Sequence, residues 1–328
     1  MTNQILLSIL VPVYNSGSTI ERCINSLCEE NVSDYEIVIV DDGSEDKSYE
    51  KLDHLSERFR FLKIVSQNNA GVSATRQKLI TLAQGKYLMF CDSDDYFEPE
   101  TIKYMMNLLH SQTLESNSPD IYIFGYNLVR SWGSKSINKR HFKNGIYQKR
   151  TVSKYHVNGI SDLYWSALWN KCYKRELCVQ PPIIFEKCME DVMFNVDYMS
   201  RVKNIYVSER RIYNYVQIGE SLTRTKRTDT TESIIEADTA YSTLMGKLLT
   251  TYPEDRTAIL SRIYRYYKSL DRRATAIGER KRVDCSINAI KKQLKWRVFY
   301  VDLIFYIDFL LRRAKKIMIE AKIGRAHV

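Results

Sequence analysis

The chain has 328 residues, 44% hydrophobic and 27% charged, with a net charge of +10. That length buries a proper core, as one large domain with an appendage or as two domains, and the composition is that of a soluble globular protein. The charge is uneven: residues 1–225 are neutral overall and residues 226–328 carry the whole excess. Such asymmetry directs the last third toward a polyanionic surface, a membrane before a nucleic acid.

The first 110 residues alternate strand and helix patterns. Leu6–Val13 is a continuous apolar run, as expected of a strand covered on both faces. Ser18–Cys28 places Ile20, Cys23, Ile24 and Leu27 at helical spacing. Glu36–Val40 reads as a second strand, Lys47–Arg60 as a helix, Phe61–Ser66 as a third strand and Val72–Ala83 as a helix. Gly85 breaks the chain before a fourth strand, Lys86–Cys91, and Thr101–Ser111 reads as a helix. This order predicts right-handed crossovers and an α/β fold with a mostly parallel sheet, whose ligands bind beyond the C-terminal strand ends. Pro119–Gly125 reads as a fifth strand and residues 130–150 as a hairpin or loop. Residues 189–201 read as a helix, and Tyr206-Val207 and Tyr213–Val216 as late strands. Beyond about residue 228 the pattern is helical to the end.

Polar residues follow each of the first four strands: Tyr14-Asn15, Asp41-Asp42-Gly43-Ser44, Asn68-Asn69 and Asp92-Ser93-Asp94-Asp95. Taken as strand-like, the last segment puts Asp92 and Asp94 on one face. Two adjacent carboxylates call for a cation or a strong hydrogen-bond network, and hard oxygens suit Mg²⁺ or Mn²⁺. No GxGxxG follows the first strand and no GxxxxGK[ST] occurs, so dinucleotide and P-loop phosphate sites are excluded. Seven cysteines (23, 28, 91, 172, 178, 188 and 285) show no CxxC and no metal spacing with His. Their odd number, and an N-terminus without a basic leader, lead us to expect a reducing cytoplasm.

Val11-Pro12-Val13-Tyr14-Asn15, Val40–Ser44, Asn68–Arg76, Asp92–Asp95, Trp169-Asn170-Lys171 and Glu190-Asp191 occur in this order. Together they resemble the motif series of a family 2 glycosyltransferase of the bacterial surface-polysaccharide type, over about residues 5–225. The resemblance implies a GT-A (nucleotide-diphospho-sugar transferase) fold, with a catalytic domain over 1–225 and a basic helical region over 226–322. It implies inverting transfer of a hexose or N-acetylhexosamine from a UDP-sugar to a glycan or lipid-linked saccharide, with Mn²⁺ or Mg²⁺. Carried onto this sequence, Pro12 and Tyr14 would line the nucleoside pocket, Asp42 would read the uracil edge and Arg76 would approach the base or phosphates. Asp92 would sit near ribose and metal, Asp94 would ligate the metal, and Ser93 would belong to the same donor segment. Asp191 would be the general base, with Glu190, Trp169, Asn170 and Lys171 on the acceptor side. Arg224, near Ser221 and Thr223, would close over the diphosphate as a bidentate donor. A nucleotidyltransferase with the same paired Asp and metal, or a membrane-binding adaptor acting through the basic tail, are the competing readings.

In the last third, Lys291-Lys292, Lys295 and Arg297 precede the apolar stretch Val298–Leu311, and Arg312-Arg313 and Lys315-Lys316 follow it. The stretch contains Asp302 and Asp308 and is shorter than the ~20 apolar residues that span a bilayer. Its basic flanks and Trp296 predict either a helix lying on the inner face of the cell membrane or one packed on the catalytic domain. Lys322–Val328 resembles the translation of a sequencing adapter, so residues 323–328 are expected to be a non-native tail.

Overall fold

The computed structural model describes residues 5–294 apart from 30–31, 60, 113–117, 131–134, 138–141, 161 and 218–229. The chain divides into two compact units, Met1–Lys226 and Arg227–Val328.

The first unit begins β1 (Leu7–Val13), α1 (Ile20–Leu27), β2 (Tyr35–Asp41), α2 (Ser48–Arg58), β3 (Leu62–Ser66), α3 (Val72–Leu82) and β4 (Tyr87–Phe90). There follow β5 (Tyr96–Phe97), α4 (Thr101–Gln112), β6 (Ile121–Arg130), β7 (Lys135–Ile137), β8 (Gly145–Gln148), α5 (Lys149–Gly159) and α6 (Leu163–Ser166). It ends with β9 (Lys171–Lys174), α7 (Arg175–Val179), α8 (Glu190–Arg201) and β10 (Asn204–Gln217). Among the described residues these strands form one sheet in the order β3-β2-β1-β4-β9-β6-β10-β5, with β7 on β6 and β8 on β10.

The strands β3, β2, β1 and β4 are parallel, as the alternating pattern predicts. Their apolar runs are continuous because both sheet faces are covered; every residue of β2 and β4 is buried. In register, Val13 lies beside Asp41 and Asp41 beside Ser66, so the loops after β1, β2 and β3 leave the sheet at one edge. Beyond β4 the sheet becomes mixed. β9 enters antiparallel between β4 and β6, and β5 pairs antiparallel with β10. The two late strands expected at 206–207 and 213–216 are one long strand, β10, whose pairing with β6 slips between Val207 and Tyr213. β5, β9 and helices α5 to α7 have no counterpart in the sequence reading.

One close approach fixes how β4 meets β1. A Cβ on Gly85 would lie 2.5 Å from the Ser8 amide nitrogen. The Gly85 amide donates to Ser8 Oγ at 2.8 Å, and Ser8 Oγ donates to Glu36 Oε1 at 2.6 Å. The Gln84 amide also donates to that carboxylate, at 2.6 Å, so buried Glu36 is hydrogen-bonded rather than stranded.

The second unit contains α9 (Thr231–Thr251), a 3₁₀ turn (Pro253–Asp255), α10 (Arg256–Ala276) and α11 (Arg280–Leu294). Thr230 and Ser233 cap α9 reciprocally through side chain and backbone. α10 buries Ile259, Leu260, Ile263, Tyr264, Tyr267, Leu270 and Ala274, one face at helical spacing. Asp238 joins the three helices, accepting from Tyr267 at 2.8 Å and Ser286 at 3.0 Å. No helix among the described residues is long and apolar enough to cross a membrane. The stretch 298–311 lies outside the described residues.

Candidate active site

The loops after β1 and β2 are laced together at the sheet edge. Asn15, at φ 48°, donates its amide to Ser44 Oγ at 2.9 Å and accepts from the Glu45 amide at 2.9 Å. Ser44 Oγ in turn donates to Asp41 at 2.5 Å. This lacing leaves Tyr14 standing out, 45% exposed, while Pro12 is half-buried at the end of β1. An exposed aromatic at a strand end offers a face for stacking. Asp42 differs from the open edge-reader expected. It is 3% exposed, and its carboxylate accepts from Gln67 Nε2 at 2.7 Å and from the Ala70 and Gly71 amides at 2.9 Å each. Three of its roughly four acceptor positions thus already hold the loop that leads into α3.

The segment Asp92–Asp95 is a turn between β4 and β5, so strand alternation does not place its side chains. The Asp95 amide donates to the Asp92 carbonyl at 3.0 Å. Ser93 is buried against Ser16, the two hydroxyls 2.6 Å apart. Asp94 is exposed, and its backbone carbonyl accepts from Arg22 at 2.6 Å. Partial desolvation of its carboxyl and the like charge of Asp92 hold its pKa above the ordinary range. Asp95, undistinguished in the sequence, is 1% exposed and accepts from Tyr213 and from the Val216 amide, both at 2.7 Å. Tyr213 Oη also accepts from the Asp92 amide at 3.1 Å. Asp95 therefore ties the turn to the end of β10.

Arg76 joins the tetrad to the Glu190-Asp191 pair. It lies on the buried face of α3, 5% exposed, and does not stand open to a base or phosphate as the sequence reading expected. Nη2 donates to Asp92 at 3.1 Å, and Nη1 donates to Glu190 at 3.1 Å and to Asp191 at 2.5 Å. A guanidinium fork can serve several carboxylates from one position, which an ammonium does less well. Burial works against the Arg76 charge, but Asp191, Asp92 and Glu190 outweigh it and keep it protonated. Burial pushes the Asp191 carboxyl up; Arg76 opposes this, and Glu190 and Asp92 add to it. Glu190 and Asp191 open α8 directly after Met189, whose φ is 56°.

Trp169, Asn170 and Lys171 are interior residues, 3%, 0% and 2% exposed, not an acceptor-facing surface. The reason is β9: its insertion between β4 and β6 carries the segment into the middle of the sheet. Trp169 stacks on Tyr213 at 4.5 Å and on Tyr215 at 5.5 Å. Asn170 Nδ2 donates to the carbonyls of Phe124 and Tyr164. Arg224, Ser221 and Thr223 lie outside the described residues. Sequence reasoning missed Asn195, which is 1% exposed and donates to the Asp191 carbonyl at 2.9 Å. Its signal was a lone amide within the apolar run Met193-Phe194-Asn195-Val196, one turn after Asp191.

No group of three or more His, Cys, Asp or Glu among the described residues is arranged to hold a metal ion. The donor set that does exist is hard: exposed Asp94, and Asp92, which keeps 28% of its side chain exposed beside Arg76. The like charge of Asp92 beside Asp94 favours a cation between them. Such a partial oxygen shell fits Mg²⁺ or Mn²⁺ only with substrate oxygens and water completing it.

Residues 8–169 match the sequence model described as Glycosyl transferase family 2. The chain is 28% identical over 223 residues to the cholesterol galactosyltransferase of Borreliella burgdorferi, covering 65% of this chain and 60% of that protein. It is 29% identical over 217 residues to the poly(ribitol-phosphate) beta-glucosyltransferase of Bacillus spizizenii, covering 64% of this chain and 32% of that one. The chain thus spans less than two thirds of the length of these relatives. Among solved structures it resembles S. aureus TarS 1-349 in complex with UDP-GlcNAc, with a TM-score of 0.60 and 18% identity over 88% of this chain and 91% of that one. The strand-end loops, the acidic turn and this likeness give the fold as GT-A, and residues 8–169 are a glycosyl transferase family 2 domain.

Proposed function

We propose that this protein transfers a hexose or N-acetylhexosamine from a UDP-sugar to a glycan or lipid-linked acceptor in surface polysaccharide synthesis, with inversion and with Asp191 as general base. One observation carries the reading: Arg76 holds Asp92, Glu190 and Asp191 within a single ion cluster at the C-terminal edge of the sheet. Donor-side and acceptor-side carboxylates are thereby neighbours, which a displacement at an anomeric carbon requires. The UDP-GlcNAc bound in TarS supports a UDP-sugar donor. The acceptor class follows the poly(ribitol-phosphate) named for one relative, while the cholesterol named for the other marks how widely acceptors vary.

In the proposed reaction an acceptor hydroxyl oxygen attacks the anomeric carbon from the face opposite the diphosphate. The new C–O bond forms as the bond to UDP breaks, the hydroxyl proton passes to Asp191, and UDP leaves. The upward shift at Asp191 makes it a stronger base than a surface aspartate. Tyr14 and Pro12 would flank the base, Asp42 would shape the loop beneath it, and Arg224 would reach the diphosphate. When bound, Mn²⁺ or Mg²⁺, held by Asp94 and Asp92, would offset the charge that develops on the departing diphosphate.

The test is UDP release across a panel of UDP-sugars, with Mn²⁺ and with EDTA. UDP identifies a glycosyltransferase; pyrophosphate released from UTP and a sugar 1-phosphate, with no UDP from any UDP-sugar, would identify a nucleotidyltransferase; and full activity in EDTA would remove the metal from the scheme. Asp191→Asn is expected to lower turnover by roughly 10²–10⁴-fold while UDP binding survives. Near-normal turnover in that variant would remove Asp191 as base.

The net charge of +10, carried by residues 226–328, supports a second element of the reading. That segment would hold the enzyme at the cytoplasmic leaflet near a lipid-linked acceptor. Binding to phosphatidylglycerol vesicles that weakens with salt is expected, and no binding at low salt would refute it.

A further inference from the structure

A buried polar network next to Asp191 is not used by the reaction above. Lys171 is 2% exposed, and Nζ donates to the carbonyls of Tyr164 (3.0 Å) and Ala167 (2.5 Å) and to Asn170 Oδ1 (2.9 Å). Three acceptors match the three N–H bonds of an ammonium; a neutral amine would turn a lone pair toward one of the oxygens. Burial pushes the Lys171 pKa down to about 7, while Asp191 and Asp162 favour the charge. An ammonium is costly to bury, and an apolar side chain would occupy the same space without that cost.

Asn195 completes the network. Its Nδ2 donates to the carbonyls of Ser166 (2.7 Å), Ala167 (3.3 Å) and Asp191 (2.9 Å), and its Oδ1 accepts from Tyr173 (2.8 Å). The Ala167 carbonyl is shared between Lys171 and Asn195. The segment Tyr164–Ala167 is thereby pinned to the first turn of α8, the turn that carries Asp191. That turn has no side-chain cap of its own.

We propose that Lys171 and Asn195 are positioning residues for Asp191, fixing the first turn of α8 through the Tyr164–Ala167 segment. The proposal rests on Asp191 being the base. The charged groups facing Asp191 are Arg76 from α3, Glu190 on α8, Asp92 from the turn after β4 and Lys171 from β9. Arg76 and Lys171 hold its carboxyl down, and Glu190 and Asp92 raise it. Loss of the Lys171 charge therefore moves the acid limb of activity to higher pH.

The experiment uses the full chain with Mn²⁺ and whichever of UDP-glucose, UDP-galactose and UDP-GlcNAc the wild type hydrolyses fastest. Asn195→Ala is expected to lower kcat about 10–100-fold, with donor KM changed by less than about twofold and the pH profile unmoved. Lys171→Met should lower kcat similarly and shift the acid limb upward, and Lys171→Arg should restore the limb. A Lys171→Met variant that does not fold leaves the decision to Asn195→Ala. Wild-type kcat in folded Asn195→Ala, or an unmoved limb in folded Lys171→Met, overturns the proposal. Asp191→Asn separates the two levels. Its near-normal turnover sinks the base itself, whereas an inactive Asp191→Asn beside an unaffected Asn195→Ala sinks only the positioning role.

Discussion

Arg76→Met removes the cation that three carboxylates share and leaves a side chain that still fills part of its space. The guanidinium lies 3.1 Å from Asp92, 3.1 Å from Glu190 and 2.5 Å from Asp191, with 6% of its side chain exposed. Removing one partner of a buried ion pair costs about 3–5 kcal/mol, because the opposite charge stays behind. The carboxylates keep 26–28% of their side chains exposed, so water screens part of the loss and about 3 kcal/mol is expected near neutral pH. At about 2–4 °C per kcal/mol for a unit of this size, melting falls by roughly 6–12 °C. The effect has a defined pH sign. Without Arg76, the Asp191 carboxyl loses the cation that opposes its burial, and its folded-state pKa rises further above the unfolded value. The penalty is then full above the raised value and fades as pH falls toward the unfolded carboxylate range near ~4. Urea unfolding at pH 5 and pH 8, followed by tryptophan fluorescence, measures this, since Trp165 and Trp169 are buried in the first unit. A loss under about 1 kcal/mol near neutral pH, or an equal loss at both pH values, would refute the shared-cation account.

Two further substitutions probe the frame of the site. Gly85→Ala brings a Cβ to 2.5 Å from the Ser8 nitrogen and 2.7 Å from the Leu7 carbonyl carbon, so β1 must shift. A stability loss of about 1–3 kcal/mol is expected in denaturant melts, and unchanged stability would show that the β1–β4 approach yields freely. Asp42→Ala leaves the Ala70 and Gly71 amides without their acceptor and Gln67 Nε2 with its longer bond to Thr75 Oγ1. Faster hydrogen exchange at those two amides and a loss of about 1–3 kcal/mol are expected; unchanged exchange would mean the loop holds itself.

The sequence by itself determined the βαβ frame of residues 6–111 and the helical character of residues 231–294. Buried parallel strands are continuous apolar runs, and helices mark their buried face by spacing, so both are local patterns. It also determined that polar residues gather at one sheet edge, because every strand there ends in a polar loop. Only the tertiary structure decided what those residues do to one another. Lys171-Cys172-Tyr173-Lys174 is not read as a strand in the sequence, yet antiparallel pairing with β4 and β6 makes it a central strand and buries Lys171. Asp92–Asp95 reads as a strand end, yet it is a turn whose last member is held by β10. Arg76 meets Asp92, Glu190 and Asp191 from 16, 114 and 115 residues away. Periodicity carries no information at such separations. The shared guanidinium, and with it the pairing of the acidic turn with Asp191, exists only once the sheet has closed.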